Sequence, residues 1–307
     1  MTGSVGDAED LVQDAFLGLT RAHRAGTEIA APKAYLTTSV TRLGINHLSS
    51  ARVRRETYVG EWLPEPVVVA TDRPGPAEHA ELADSLSMAF LVLLEALSPV
   101  ERAVFVLREV FGYDYPDVAR TVGKSEVNCR QIFARARKRV AAGGREHVAA
   151  GGRTADSATH PSPSPSPPPP LPPARRAEGE ELARTFFEAA AGGEMDTLLG
   201  MLAPDVVFHG DGGGKARAIA KSVTEPLRVV QLLVGGMRRL RSLGAVLRPV
   251  LINGRPGVLI VDADERVASA VELDVVDGVV RAIHSVSNPD KLGHIGPVSD
   301  IGRLPGK

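Results

Sequence analysis

The run PSPSPSPPPPLPP at residues 161–173 constrains this chain more than any other stretch. Proline fixes φ and removes a backbone N–H, so the run suits neither a helix interior nor a central strand. It predicts an extended, polyproline II-type spacer. At roughly 3.1 Å per residue, such a segment reaches about 40 Å. A Gly/Ala/Ser-rich stretch from about residue 141 leads into it. At 307 residues one domain is possible, but the run is the clearest boundary and favours separate cores on either side. Hydrophobic residues make up 43% of the chain and aromatics only 4%, so those cores rest on Ala, Val and Leu. The run also has the composition of an SH3-type ligand, but the chain carries no other signalling feature.

Everything before the spacer reads as helix. Residues 7–24 are amphipathic, with Leu11, Val12, Ala15, Phe16 and Leu19 on one side and Asp10, Gln13 and Asp14 on another. A second helix is predicted over 32–55, with Pro32 in its first turn and Leu36, Val40, Leu43, Ile45 and Leu48 facing inward. It ends in a basic cluster of Arg52, Arg54 and Arg55. A Pro-rich, acidic stretch at 62–78 follows, then helices from about 80 to 97 and 99 to 110. The latter opens with Ser98-Pro99-Val100-Glu101, a capping box with proline at the first helical position.

Residues 115–140 read as two short helices joined at Gly123. Val118, Ala119 and Val122 stripe the first helix, and Ser125 is placed to cap the second. Cys129, Ile132, Phe133, Ala136 and Val140 recur at helical spacing and should face inward. Asn128, Arg130, Gln131 and Arg135 fall on the other face. This layout is either an ordinary αα-hairpin with a solvated basic face or a helix-turn-helix that enters a major groove. Between Lys124 and Arg139 there are six Lys or Arg and one acid, the density that phosphate neutralisation requires.

After the spacer the pattern becomes α+β. Residues 178–191 are an amphipathic helix, Asp205–His209 a short strand, and 225–242 helical. Strand-like runs follow at 246–252, 257–262, 267–275 and 278–286, with Asn253-Gly254 and Asp277-Gly278 as hairpin signals. Helices followed by a curled antiparallel sheet predict a cone-shaped α+β barrel. Asp205, His209, Asp211 and His284 could supply a pocket His–Asp pair, although a strand histidine more often serves as a hydrogen-bonded structural residue. The net charge of −1 hides segregation, because residues 61–101 carry eight acids and one Arg between two basic segments. Cys129 is the sole cysteine, so an intrachain disulfide and a thiolate-pair metal site are excluded. The first fifteen residues are acidic and no run approaches the roughly eighteen apolar residues of a membrane span, which predicts a cytoplasmic protein with no membrane partner. No metal, cofactor or enzymatic activity is expected.

The chain up to Val140 resembles bacterial RNA polymerase sigma factors of the extracytoplasmic-function type, within the sigma-70 family. DAEDLVQDAFLGL is similar to their region 2.1–2.2, PKAYLTTSVTRLGINHLSSARVRRE to regions 2.3–2.4, and SPVERAVFVLREVFGYDYPDVARTVGKSEVNCRQIFARARKRV to region 4. Three pentapeptides narrow the resemblance to the subgroup with a fused C-terminal SnoaL-like domain. They are Trp62-Leu63-Pro64-Glu65-Pro66, Asp211-Gly212-Gly213-Gly214-Lys215 and Asn288-Pro289-Asp290-Lys291-Leu292. The resemblance implies region 2 over 1–58, beginning inside that domain without its first helix. It then implies a linker at 59–79, region 4 at 80–142, a spacer at 143–177, a SnoaL-like domain at 178–295 and a tail at 296–307.

It further implies a protein that directs core polymerase to promoters. Lys124, Ser125, Glu126, Asn128, Arg130, Gln131 and Arg135 would meet the −35 element. Arg42, Asn46, Arg52, Arg54 and Arg55 would meet the −10 element, with Asn46 standing where the family has Asp. Asp10, Gln13, Asp14, Phe16 and Leu17 would meet polymerase, whose β′ clamp helices and β flap are the implied contacts. The three pentapeptides would form a regulatory contact, with the DGGGK loop against the WLPEP linker and Trp62 as an apolar anchor. A small-molecule or protein ligand of the C-terminal domain stays open. So do two other readings, a helix-turn-helix regulator that works without core polymerase and a SnoaL-like enzyme with secondary DNA binding.

Overall fold

The computed structural model describes residues 1–55, 58–69, 87–149, 173–219 and 221–302. They fall into two compact units. One holds 1–55 and 93–144; the other holds 58–69, 87–92, 145–149 and the described residues from 173 onward.

The first unit is helical. Helix α1 (Val5–Arg24) starts at Ser4, whose side chain accepts the Asp7 N–H, and α2 (Pro32–Arg55) packs along it. Of the apolar side of α1, Ala15 is buried, whereas Val12 and Phe16 are 45% and 53% exposed. Periodicity marks an apolar stripe but does not say that a neighbour covers it. Helix α3 (Met88–Glu95) leads to α4 (Pro99–Phe105), where Ser98 and Glu101 form the capping box, and a π-helical turn follows at Val106–Val110. The helix-turn-helix consists of α5 (Tyr115–Val122) and α6 (Glu126–Ala149). Gly123, at φ 67°, supplies the left-handed turn between them, and Ser125 Oγ accepts the Asn128 N–H. Val118, Cys129, Ile132, Phe133, Ala136 and Val140 are all buried.

The second unit is a six-stranded sheet with helices on one side. Its helices are α7 (Pro173–Gly192), α8 (Met195–Met201) and α9 (Pro226–Ser242). Its strands are β1 (Val68–Val69), β2 (Leu202–Asp211), β3 (Val246–Ile252), β4 (Arg255–Val261), β5 (Val267–Val276) and β6 (Val279–Val286). The order is β1-β3-β4-β5-β6-β2, antiparallel except for β2 beside β6. Asn253-Gly254 and Asp277-Gly278 take left-handed φ values and turn two of the hairpins. This is the cone-shaped α+β architecture of a SnoaL-like domain.

Strand alternation divides the sheet into two faces. Val206, Val258, Ile260, Val271, Leu273 and Ile283 join the core under the helices, with Phe186, Val229 and Leu233. Leu259, Val261, Ala270 and Val286 point the other way and form a second core with Leu63 and Met88. Burial on both faces explains why residues 258–261 of β4 read as a continuous apolar run.

Three boundaries differ from the sequence reading. Tyr58 belongs to the second unit, not to the first domain, because its hydroxyl and ring are engaged there. Residues 88–92 also cluster with the second unit, since Met88 is 1% exposed in its second core. The expected spacer at 143–177 is helical at both ends, through Ala149 and from Pro173. Alanine-rich sequence extends α6, and proline at the first helical position opens α7 without losing a bond. The remainder of the expected spacer, the proline run before Pro173, and linker residues 70–86 lie outside the described residues.

Candidate functional site

The basic surface is built on α6. Lys124, Ser125, Glu126, Arg130, Gln131 and Arg135 are exposed and Asn128 is half-buried, all opposite the buried Cys129–Ile132–Ala136 stripe. Arg130 is held rather than loose: its guanidinium lies 4.7 Å from the centre of the Tyr115 ring and 3.6 Å from Glu126. A stacked guanidinium keeps its donor fork aimed outward. Arg139 pairs with Glu101 of the capping box at 2.6 Å, which ties the middle of α6 to α4.

The −10 candidates are arranged differently. Asn46 is exposed on α2. Arg42, one turn earlier, donates through Nε to the Thr121 carbonyl and through Nη2 to the Arg120 carbonyl, each at 3.1 Å. These are C-terminal carbonyls of α5, where a cation complements the helix dipole. Arg42 therefore contacts the helix-turn-helix in this form. The side chains of Arg52, Arg54 and Arg55 lie outside the described residues. On α1, Asp10, Gln13, Asp14, Phe16 and Leu17 are all exposed. Phe16 and Leu17 add an uncovered apolar patch among acids.

The three pentapeptides meet in the second unit, on the sheet face away from the helices. Asp211, fully buried at the end of β2, is the hub. Its Oδ2 accepts the Leu63 N–H at 2.9 Å and the Lys291 ammonium at 2.6 Å. Its Oδ1 accepts the Tyr58 hydroxyl and, at 3.1 Å, the Gly213 N–H. Lys291, 3% exposed, also donates to the Leu63 carbonyl at 2.5 Å and sits 3.2 Å from the centre of the Trp62 ring. A buried ammonium is tolerable only with such partners. Asn288 Nδ2 donates to Tyr58 Oη at 2.7 Å, and burial with the bond to Asp211 pushes the Tyr58 phenol pKa well up. At the rim, Lys215 and Asp290 pair at 2.5 Å. Gly213 and Gly214 both take left-handed φ, and a Cβ on Gly213 would lie 2.3 Å from Asn288 Nδ2. The glycines let the loop lie against the NPDKL segment and the linker.

Sequence reasoning named Trp62 as the apolar anchor. Leu63 fills that place, at 0% exposed in the second core, while Trp62 is half-buried and serves Lys291 as a π-face. Pro64 and Pro66 are buried, and Glu65 lies 3.7 Å from His294, whose Nε2 is 2.8 Å from the Pro66 carbonyl. Pro289 opens the 3-10 turn Pro289–Lys291 and Leu292 is fully buried.

Several linker-binding residues were missed. Val67 exchanges hydrogen bonds with Asn253, and β1 then adds to the sheet edge beside β3. Glu272 Oε1 accepts the Met88 N–H at 3.3 Å, and its Oε2 accepts Asn253 Nδ2 at 3.2 Å. Burial, with the Asp274 charge second, raises the Glu272 pKa to about 8. Glu61 Oε1 lies 2.6 Å from His209 Nδ1, and the His209 ring stacks on His284 at 5.1 Å. His209, Asp211 and His284 thus face the linker and not the helix-covered core. Among the described residues, no group of three or more His, Cys, Asp or Glu side chains could hold a metal ion, and no helix is long and apolar enough to cross a membrane.

Comparison with known proteins agrees with this layout. Residues 1–54 match the Sigma-70 region 2 family and residues 87–140 match the Sigma-70, region 4 family. The chain is 37% identical over 299 residues to the ECF RNA polymerase sigma factor SigJ of Mycobacterium tuberculosis, covering 95% of this chain and 87% of that protein. It is 29% identical over 294 residues to the probable ECF sigma factor SigI of the same species, covering 95% and 88%. The crystal structure of the M. tuberculosis SigJ superposes with a TM-score of 0.70 at 33% identity, covering 97% of this chain and 93% of that one. With both sigma regions in order and a SnoaL-like domain after them, the chain belongs to the extracytoplasmic-function RNA polymerase sigma factors, in the subgroup with a fused C-terminal SnoaL-like domain.

Proposed function

We infer that this sigma factor is regulated in cis by its own C-terminal domain, which holds the linker between the two promoter readers. One observation carries the reading: Asp211 and Lys291, both buried, spend their charges on the linker backbone at Leu63. The linker is gripped again at Val67, Val68 and Met88. Residues 58–69 and 87–92 are thus pinned on both sides of the stretch that joins region 2 to region 4, so the domain limits how far the readers can part.

The distance that DNA demands supports the same reading. The −10 and −35 elements lie, by their labels, about 25 base pairs apart, roughly 85 Å of duplex at 3.4 Å per pair. Arg42, assigned to the −10 element, touches Thr121, close in sequence to Lys124 and the start of the −35 helix. Both readers cannot engage a promoter in that arrangement, so this is a closed form. Opening must withdraw Arg42 from α5 and give the linker slack.

In the open form the N-terminal turns of α6 read base edges, with Arg130 suited to guanine and Asn128 to adenine, while Arg135 and the cations beyond it hold phosphate. Lys124, Ser125, Glu126 and Gln131 share that surface. Arg42, Asn46, Arg52, Arg54 and Arg55 serve the −10 element. Asp10, Gln13, Asp14, Phe16 and Leu17 face the β′ clamp helices, and region 4 faces the β flap. The C-terminal domain works as a regulator rather than an enzyme, and the protein acts in the cytoplasm.

Reconstitution with core polymerase tests the assignment. The chain should comigrate with core and yield transcripts that start downstream of paired −35 and −10 sequences. Sequence-specific DNA binding with no association to core would instead indicate a helix-turn-helix regulator that acts alone.

A further inference from the structure

The linker clamp leaves the other face of the C-terminal sheet unused. There a cavity of about 350 Å³ opens between α9 and strands β2, β5 and β6. Its walls are apolar, with Phe208, Leu233, Met237, Ile260 and Val271 among them. One strip is polar. Ser287 Oγ donates to Ser269 Oγ, and Ser269 Oγ donates to the Val286 carbonyl, both at 3.0 Å. That commits the Ser269 proton. The Ser285 hydroxyl, 3.4 Å from Ser269 Oγ, must then be the donor in that contact, which leaves its oxygen lone pairs toward the cavity. Arg217 and Arg239 also line the space, and among the described residues no Asp or Glu does.

Gly236 supplies an independent sign. It lies inside α9, where glycine is a poor helix former. A Cβ at this position meets nothing within 4 Å, so no neighbouring side chain requires the glycine. Gly236 lines the cavity, and its missing side chain keeps that space open. An apolar enclosure of this size, with a few polar groups and one sign of charge, has the make-up of a small-molecule site.

We propose that this cavity binds a small amphipathic anion, with an apolar body against Phe208, Leu233, Met237 and Val271 and a carboxylate, sulfonate or phosphate end toward Arg217 and Arg239. The site shares no residue with the linker clamp, so it stands or falls separately.

The test uses 1-anilinonaphthalene-8-sulfonate with the full chain. This probe joins an aromatic body to one anionic group, and its fluorescence rises on leaving water. The expected result is one saturable site per chain. Gly236→Trp should abolish it, and Arg217→Gln and Arg239→Gln should each weaken it about two- to fivefold, as exposed charges do. N-phenyl-1-naphthylamine, the same body without the sulfonate, should bind the two arginine variants as it binds the wild type. Binding that never saturates, or that survives Gly236→Trp in a chain with wild-type melting, overturns the site. If Gly236→Trp melts early, Gly236→Leu is read with the same two outcomes. Unchanged sulfonate affinity in both arginine variants overturns the anionic assignment.

Discussion

Replacing Asp211 by alanine should free the linker from the C-terminal sheet. The carboxylate accepts from Tyr58, Leu63, Gly213 and Lys291, and none of it is exposed to solvent. Its removal leaves the Lys291 ammonium, with a 4% exposed side chain, without its counter-charge. Breaking a buried pair from one side costs about 3–5 kcal/mol. The orphaned Leu63 N–H alone accounts for about 1–3 kcal/mol of that, and the two overlap because they share one carboxylate. Amide hydrogen exchange reads the loss at the right atom, since the Leu63 N–H donates to Asp211 Oδ2. Protection of Leu63 should fall by roughly two to three orders of magnitude, at about 1.4 kcal/mol per factor of ten, while amides in the β4–β5 ladder keep theirs. Asp211→Asn combined with Lys291→Met removes both charges and should recover part of the loss. If Leu63 stays protected in Asp211→Ala, the Asp211–Lys291 pair does not hold the linker and the reasoning fails.

Other consequences follow from single residues. Arg130→Ala should relax base choice at one −35 position by about 1–3 kcal/mol in a promoter-library readout, and unchanged preference would mean that another residue reads that base. Gly213→Ala meets both a left-handed φ and the Asn288 amide, so chemical denaturation should show a loss of about 1–3 kcal/mol; an unchanged midpoint would show that the loop can shift. Glu272 gives a pH signature. Its folded pKa of about 8 exceeds the unfolded value near 4.3, so folding takes up a proton between those values. Stability of the C-terminal unit should therefore fall as pH rises from about 5 to 8, by up to roughly 1.4 kcal/mol per unit from this group. A flat profile across that window in wild type, or the same slope in Glu272→Ala, would assign the buried carboxyl differently.

Much of this architecture is written locally. The α2 and β3 spans and the helix-turn-helix follow from periodicity, a capping serine and a turn glycine, all within a few residues. The Asn-Gly and Asp-Gly turns fix two hairpins for the same reason. The linker's role is not local. Leu63 lies in Pro-rich, acidic sequence where no period marks it for burial, and the apolar run that Met88 opens does not say which core takes Met88. Their partners lie 148 and 184 residues away, at Asp211 and Glu272. Lys291 and Glu272 look like surface charges in sequence; only the fold reveals that they are buried and what holds them. The family motifs pointed to a meeting of the pentapeptides, but not to which side chain anchors it. They also gave no sign that Arg42 would cap α5, because a C-terminal carbonyl site exists only once the helices pack.

The central claim is that the clamp restrains promoter use. Promoter-dependent transcription with core polymerase, comparing the wild-type chain with Asp211→Ala at equal occupancy of core, tests it most directly. Release of the linker should raise the yield of specific transcript and leave affinity for core unchanged. Equal or lower yields from a variant whose Leu63 amide has lost protection would contradict a restraining clamp.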